Sequence, residues 1–332
     1  MKIYVAMGET AIRDSFFTPK ALEKVRRLGE VKLYNRPQLS CSKEELIEEI
    51  GEADILFTGW GAPRIDQEVL EHAGSLKIHA HTGGSVAPFI SKEEYDRGIH
   101  VLSGNDVYAR SVAEGCLAYT LTALRRLPEV LSEMREGGWK PEVLKDSGLF
   151  GKKVGLVGYG AIARYYAELL QWFQPELYVY SSHISDQELN RIHAKRASKE
   201  EIFASCDVIS LHSALNDANH GMITGSLLKR IKKDALFVNT ARAGLIDTPA
   251  LLEELKTGRF RAVLDVYDQE PLPMDSPYRS LSNVMLLPHV AGPTFDMRQT
   301  VVLSLAQDIQ TILEGGQSRH GIAYEHAVRM TK

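Results

Sequence analysis

The sequence predicts an α/β chain built from two doubly wound parallel-sheet domains. Three observations carry this prediction. Short apolar runs alternate with longer amphipathic stretches, the pattern of parallel strands joined by crossover helices. A glycine-rich turn, V-G-Y-G-A-I-A at 157–163, closes one apolar run and opens a helical one. The length of 332 residues suits two domains at about 150 residues each.

Residues 3–7 (IYVAM), 54–58 (DILFT), 76–80 (LKIHA) and 99–102 (IHVL) read as buried strands, with helices over 42–52 and 66–73. A long helix is expected over 111–127, with Pro128 just beyond its end. Residues 135–150 are punctuated by Gly and Pro and read as a loop opening the second domain. Six strands are then expected at 153–158, 177–181, 207–212, 235–240, 262–266 and 284–288. The helix over 248–256 takes Asp247 or Thr248 as N-cap, Pro249 in its first turn and Gly258 as its stop. Six strands with crossovers describe a doubly wound dinucleotide-binding fold. The terminal helix, 294–314, carries a stripe of Phe295, Val301, Val302, Leu305, Ile309, Ile312 and Leu313.

Composition narrows the function. Apolar residues make up 44% and charged residues 25%, enough for a sizeable core. Lys plus Arg number 39 against 43 Asp plus Glu, so no basic excess points to nucleic acid or to an anionic membrane surface. No stretch approaches the ~20 apolar residues of a membrane helix, and Glu9 and Arg13 interrupt the first apolar run too soon for a signal peptide. Cys41, Cys116 and Cys206 are scattered and form neither a disulfide framework nor a metal site, which fits a reducing cytoplasm. His79 and His81 share a strand face but have no third ligand at sensible spacing, so no metal is expected.

The turn carries the fingerprint G-x-G-x-x-G/A on Gly158, Gly160 and Ala163. Gly158 permits the tight turn, Gly160 lets the backbone approach a pyrophosphate, and Ala163 allows close helix–strand packing. The helix starting at Ala161 and Ile162 then offers free N–H groups and the positive end of its dipole to the anion. An acid that would hold the adenosine ribose is expected at the end of the next strand, but Ser181 stands there. Its absence weakens strict NAD use and removes repulsion against a 2′-phosphate. No Arg follows immediately. NAD is the expected cofactor, with NADP left open.

Three further segments sit at strand ends: N-T-A-R-A-G-L-I-D (239–247), L-D-V-Y-D-Q-E-P-L-P (264–273) and L-P-H-V-A-G (287–292). Strand C-termini are where open α/β sheets bind ligands, which favours Arg242, Glu270 and His289 as functional groups. Together with the fingerprint, V-A-E-G-C-L-A (112–118) and G-G-W (137–139), the chain closely resembles the D-isomer-specific 2-hydroxyacid dehydrogenase family. The resemblance implies a Rossmann cofactor domain over 108–294, inserted into a flavodoxin-like substrate domain of 1–107 plus 295–332, with the active-site cleft between them. It also implies a 2-oxo-acid reductase. His289 would be the general acid and base, Glu270 its partner favouring the protonated imidazole, and Arg242 the ligand of the substrate carboxylate and carbonyl. Asp265 would contact the nicotinamide carboxamide. Cofactor-lining positions would be Gly158, Gly160, Ala161, Ile162, Ser181, His212, Ala214, Thr240, Ala241, Arg242, Asp265, His289 and Gly292.

The substrate loop departs from the commoner G-x-G-x-D-x-I-D form. It resembles a less characterised branch with H-T-G-G-S-V at 81–86, where Gly83, Gly84 and Ser85 would face an anion. Trp60 and Arg64 are candidates for the same cleft. Two other readings stand beside the enzyme: a dinucleotide-sensing, corepressor-like binding protein, and a formate dehydrogenase, whose branch has Gln where this chain has Glu270. The resemblance also implies a homodimer, through the helix at 111–127 and the loop reaching Trp139. Little chain remains beyond the two domains and the final helix, so no appended domain is expected.

Overall fold

The structure, a computed structural model, describes residues 1–139 and 144–331. Residues 140–143, part of the predicted loop over 135–150, lie outside the described residues. The chain divides into two compact units: Met1–Ala109 together with Pro293–Lys332, and Arg110–Gly292.

The first unit contains a parallel five-stranded sheet of β1 (Lys2–Val5), β2 (Glu30–Leu33), β3 (Ile55–Thr58), β4 (Ile78–His81) and β5 (His100–Ser103), in the order β2-β1-β3-β4-β5. This is the flavodoxin-like order. β3 and β4 are buried along their whole length because helices cover both faces; β3 is correspondingly apolar, whereas β4 buries His79 and His81 between Ile78 and Ala80. One face packs Phe16, Val25 and Val301, the other Leu46, Ile50, Val69 and Leu70. Helix starts are set by side-chain caps. Ser42 and Glu45 form a capping box on Lys43–Ile50, and Asp66 caps Gln67–His72. The final long helix, Arg298–Leu313, buries Val301, Val302, Leu305 and Ile309. It starts later than the expected 294, and Phe295, assigned to its apolar stripe, is 70% exposed.

The second unit contains seven parallel strands: β6 (Lys153–Val157), β7 (Glu176–Tyr180), β8 (Ala194–Arg196), β9 (Val208–Leu211), β10 (Leu236–Asn239), β11 (Arg261–Leu264) and β12 (Val284–Leu286). Their order is β12-β11-β10-β9-β6-β7-β8, a Rossmann sheet that reverses direction of growth between β6 and β9. The sequence reading expected six strands. β8 escaped it because Ala-Lys-Arg on an edge has no buried side chain to give an apolar run. Asp247 is the N-cap of Thr248–Lys256, accepting from the Ala250 N–H at 3.1 Å.

The long helix runs over Asn105–Leu124, six residues earlier than expected at its start. Pro128 does not follow that helix but opens another, Leu127–Arg135, where its missing N–H costs nothing. Among the described residues no helix is long and apolar enough to cross a membrane.

Candidate active site

The glycine-rich turn lies where β6 and β9 diverge, the switch point of the sheet. Gly158 has φ +95°, a left-handed conformation that favours glycine. A Cβ there would stand 2.5 Å from both the N and Oγ of Ser213, in the segment after β9. Gly160 is the N-cap of helix Ala161–Leu170, and a Cβ built on it meets nothing within 4 Å. No side chain caps this helix start. Ala163 and Tyr166 are buried, so the helix is seated firmly while Ala161 and Ile162 stay partly exposed. Open space over Gly160, uncapped N–H groups and a cradle that excludes a Cβ fit a dinucleotide pyrophosphate.

At the end of β7, Ser181 Oγ accepts from the His183 N–H at 3.2 Å, a local turn. A cation the sequence reading missed lies beside it. Arg196, the last residue of β8, donates to the Ser181 carbonyl at 3.4 Å, the Ile184 carbonyl at 2.9 Å and Asp186 Oδ1 at 2.9 Å. Strand pairing places Arg196 opposite Val179, two residues from Ser181. Its distance along the chain hid it.

The turn is also tied to its neighbours. The Tyr159 hydroxyl donates to Glu188 Oε1 at 2.7 Å, and Arg191 donates to both Glu188 oxygens at 2.8 Å. The Arg191 hydrogen bonds, with help from Tyr159, hold the Glu188 carboxyl at about 2. This depressed value means the pairing stabilises the fold fully above the ordinary 4.5 and is lost as pH falls towards 2. Glu188→Gln is therefore expected to lower Tm at neutral pH by a few degrees, a gap that closes in acid. Thermal melts across pH check this; a gap that persists to the lowest pH would show that the charge is not its source.

The strand ends β10 and β11 and the segment after β12 bring the polar trio together. Asn239 Nδ2 donates to the Arg242 carbonyl at 3.0 Å, and Asn239 Oδ1 accepts from the Ala241 N–H at 3.0 Å, which shapes the Arg242 turn. Arg242 Nη1 donates to the Ala241 carbonyl at 2.7 Å. Burial works against the Arg242 charge, and Glu270 supports it. His289 Nδ1 meets Glu270 Oε2 at 2.7 Å, while Glu270 Oε1 accepts from the Tyr267 N–H at 3.0 Å. Burial pushes the Glu270 carboxyl up, but the His289 and Tyr267 hydrogen bonds and the nearby cations outweigh it and hold the group below its usual range.

Asp265 is fully buried. Its two oxygens accept from the Val290 N–H at 2.8 Å and the Ala291 N–H at 2.9 Å. Burial pushes its carboxyl up, with the two N–H groups opposing. The carboxylate thus fixes the chain just after His289, whose own φ is +54°. The resemblance implied a cofactor contact for Asp265; bracing this turn is a contact the sequence did not reveal.

The remaining expected lining residues fall on strand ends of the same unit. His212 follows β9, its Nε2 2.9 Å from Ser210 Oγ and its ring 5.3 Å from that of Tyr166. Burial pushes its imidazole down to about 3, so it is neutral. Thr240 Oγ1 is 2.9 Å from Cys116 Sγ. Ala214 is exposed, with its carbonyl accepting from Asn219 Nδ2 at 2.5 Å. Ala241 is half-buried. The Gly292 carbonyl accepts from Ser111 Oγ at 3.4 Å.

In the other unit, the loop after β4 is held by a carbonyl and by the Ser85 hydroxyl. Ser103 Oγ donates to the Gly84 carbonyl at 2.6 Å, and Ser85 Oγ donates to the Thr331 carbonyl at 2.5 Å. Among the described residues, no hydrogen bond is donated by the N–H of Gly83, Gly84 or Ser85. Three successive N–H groups left in this way suit an anion. Trp60 packs edge-on against Phe16 at 5.6 Å and Tyr108 at 6.3 Å, with the Arg298 guanidinium 5.6 Å from its ring. Arg298 and Tyr108 were missed: one opens a helix and the other reads as core. Arg64 donates through Nε to the Ile90 carbonyl at 3.0 Å, a structural tie. His79 and His81 do share a face, but among the described residues no group of three His, Cys, Asp or Glu could hold a metal ion.

Comparison with known proteins returns consistent similarities. Residues 117–291 match the family model described as D-isomer specific 2-hydroxyacid dehydrogenase, NAD binding domain. A glyoxylate reductase of Korarchaeum cryptofilum is 30% identical over 301 residues, covering 89% of this chain and 90% of the relative. A D-3-phosphoglycerate dehydrogenase of Methanocaldococcus jannaschii is also 30% identical across 89% of this chain, but the match spans only 56% of that longer protein. Among solved structures, the TT0316 protein of Thermus thermophilus superposes with a TM-score of 0.81 at 29% identity, covering 97% of this chain and all of that one.

Proposed function

Because the chain belongs to the D-isomer specific 2-hydroxyacid dehydrogenase family, we propose that it transfers hydride between a nicotinamide cofactor and a small 2-oxo or D-2-hydroxy acid. The observation that carries this reading is the 2.7 Å Glu270–His289 pair with the Arg242 charge acting on Glu270, in the same unit as the glycine cradle. The cofactor, when bound, supplies the hydride. Gly158, Gly160 and the start of helix Ala161–Leu170 would hold its pyrophosphate. The rest falls to side chains of this chain. With Nδ1 committed to Glu270, His289 exchanges its proton with the substrate oxygen through Nε2, giving it in reduction and taking it in oxidation. Arg242 binds the carboxylate and polarises the carbonyl with its fixed fork of donors. The loop N–H groups of Gly83, Gly84 and Ser85 are a further carboxylate-binding feature.

The test is NADH and NADPH oxidation with a panel of glyoxylate, hydroxypyruvate, pyruvate and 3-phosphohydroxypyruvate. Turnover with at least one acid is expected; none with either cofactor would overturn the reading. For the cofactor we propose NAD. One observation favours NADP as a second reading: Arg196 stands beside Ser181, where an acid would repel a 2′-phosphate. Under the first reading NADH binds tighter and Arg196→Gln changes neither affinity. Under the second NADPH binds tighter and the variant loses about tenfold in NADPH affinity alone, the loss expected for one charge-assisted contact.

We also propose a homodimer. Helix Leu127–Arg135 has no buried residue, yet it carries Leu127, Leu131 and Met134, and Trp139 beyond it is 73% exposed. Apolar surface of this kind marks association. A monomer mass by light scattering at micromolar concentration would contradict it.

A further inference from the structure

Behind the substrate loop lies a buried chain of polar groups that the reaction itself does not use. His79 Nδ1 is 2.8 Å from Glu94 Oε2, His79 Nε2 is 2.8 Å from Thr58 Oγ1, and Thr58 Oγ1 is 2.9 Å from His81 Nδ1. All four residues are fully buried. Glu94 Oε1 also accepts from the Ser91 N–H at 3.2 Å. The chain ends on His81 Nε2, a buried nitrogen without a hydrogen-bond partner. That nitrogen lies 2.3 Å from where a Cβ on Gly83 would stand, so it faces the underside of the loop. Phe89 stacks on the ring at 4.4 Å and fixes its plane. Buried polar atoms are normally paired, and an orphan calls for an explanation.

With Glu94 as the carboxylate, counting protons leaves two arrangements. A threonine hydroxyl has one proton, so Thr58 donates to one imidazole and accepts from the other. With His79 neutral, its Nδ1–H serves Glu94 and its bare Nε2 accepts from Thr58. Thr58 then accepts from His81 Nδ1–H, and His81 Nε2 is left as a bare acceptor. With His79 cationic against the Glu94 carboxylate, its Nδ1–H still serves Glu94 and the two bonds to Thr58 reverse. His79 Nε2–H donates to Thr58, Thr58 donates to His81 Nδ1, and His81 Nε2 carries a proton. The two states differ by one proton. It enters at His81 Nε2, the Nδ1 proton of His81 passes to Thr58, and the Thr58 proton passes to His79. His81 stays neutral in both, consistent with burial pushing its imidazole down to about 3.

We propose that Glu94, His79, Thr58 and His81 form a positioning relay that turns His81 Nε2 from acceptor to donor when an anion occupies the loop over 82–86. The proposal rests on the carboxylate-binding role given to that loop above. A bare nitrogen lone pair beneath an anion repels it, whereas an N–H attracts it, and little water lies between to screen either effect. The positive charge settles on His79, beside Glu94. Around His79, the helix Lys92–Asp96 contributes Glu94, and β4 itself contributes His81. β3 contributes uncharged Thr58, and β5 aligns Val101 and Ser103 with the two histidines. Glu94 is therefore the counter-charge that sets the relay.

The test uses the intact chain, histidine-selective ¹⁵N labelling and oxalate, a dianion that is not reduced. His81 signals are assigned with His81→Gln. Saturating oxalate is expected to move the His81 proton from Nδ1 to Nε2. Thr58→Val should abolish that shift, weaken oxalate about tenfold and raise KM for 2-oxo acids with kcat unchanged, a loss on the scale of one buried hydrogen bond. Thr58→Ser should restore all three. If His81 keeps one tautomer with and without bound oxalate, if oxalate does not bind, or if folded Thr58→Val binds it as the wild type does, the relay is overturned. The wild-type spectrum decides the matter even if Thr58→Val does not fold. A protein that reduces 2-oxo acids while His81 stays silent loses the relay and keeps the enzyme. One that shows the tautomer shift but reduces nothing does the reverse.

Discussion

Replacing His289 by asparagine is expected to lower kcat for 2-oxo-acid reduction by about a thousandfold, the scale of a lost general acid. Asparagine has no proton to give at neutral pH, so hydride would have to generate an unprotected alkoxide. Cofactor affinity should fall far less than kcat, since the substitution leaves the glycine turn intact and the 2.7 Å contact of His289 is with Glu270. Steady-state kinetics with a fluorescence titration of NADH separates the two effects. Full turnover in the variant would remove His289 from the chemistry. A loss seen only in KM would recast it as a binding group.

Gly158→Ala is expected to abolish cofactor binding and cut stability, because two costs coincide. The backbone is left-handed at φ +95°, worth about 1–3 kcal/mol for a residue with a Cβ. The new methyl would also meet the Ser213 N and Oγ at 2.5 Å, which forces the segment after β9 to move. Gly160→Ala is the control that separates fold from ligand. Its φ is −112° and its Cβ has open space, so that variant should melt like the parent and lose only cofactor affinity. Differential scanning calorimetry and NADH titration of both variants check this. Equal melting of the two would mean the β9 contact carries no strain.

Much of this was legible in the sequence, for physical reasons that differ by element. Central parallel strands are covered on both faces, so β3, β4, β9 and β10 appear as mostly apolar runs, broken in β4 by His79 and His81 and in β9 by Ser210. The glycine turn was legible because only small residues serve a left-handed turn against a neighbouring strand. Edges were not. β2 (Glu-Val-Lys-Leu) has no fully buried residue, and β8 is Ala-Lys-Arg, so neither announces itself. Missing β8 also hid Arg196, which strand pairing alone brings back to Ser181. The start of helix Asn105–Leu124 was lost because its first turn reads as loop. Glu94 was invisible for the opposite reason. A carboxylate in a Lys-Glu-Glu run looks solvated, and only the fold carries it inward to His79.

The clamp of Asp265 on Val290 and Ala291 has a consequence for anyone who would transplant this chemistry. His289 occupies a backbone conformation that a non-glycine residue adopts at a cost of about 1 kcal/mol or more. The two N–H groups locked onto a buried carboxylate are what keep the next residues from relaxing away from it. An imidazole grafted onto another scaffold with its glutamate but without this aspartate would have the right ingredients and a loose hinge. Under the proposed function, the portable unit is therefore not a pair but a triple, two acids and a base, in which Asp265 fixes the turn that carries His289.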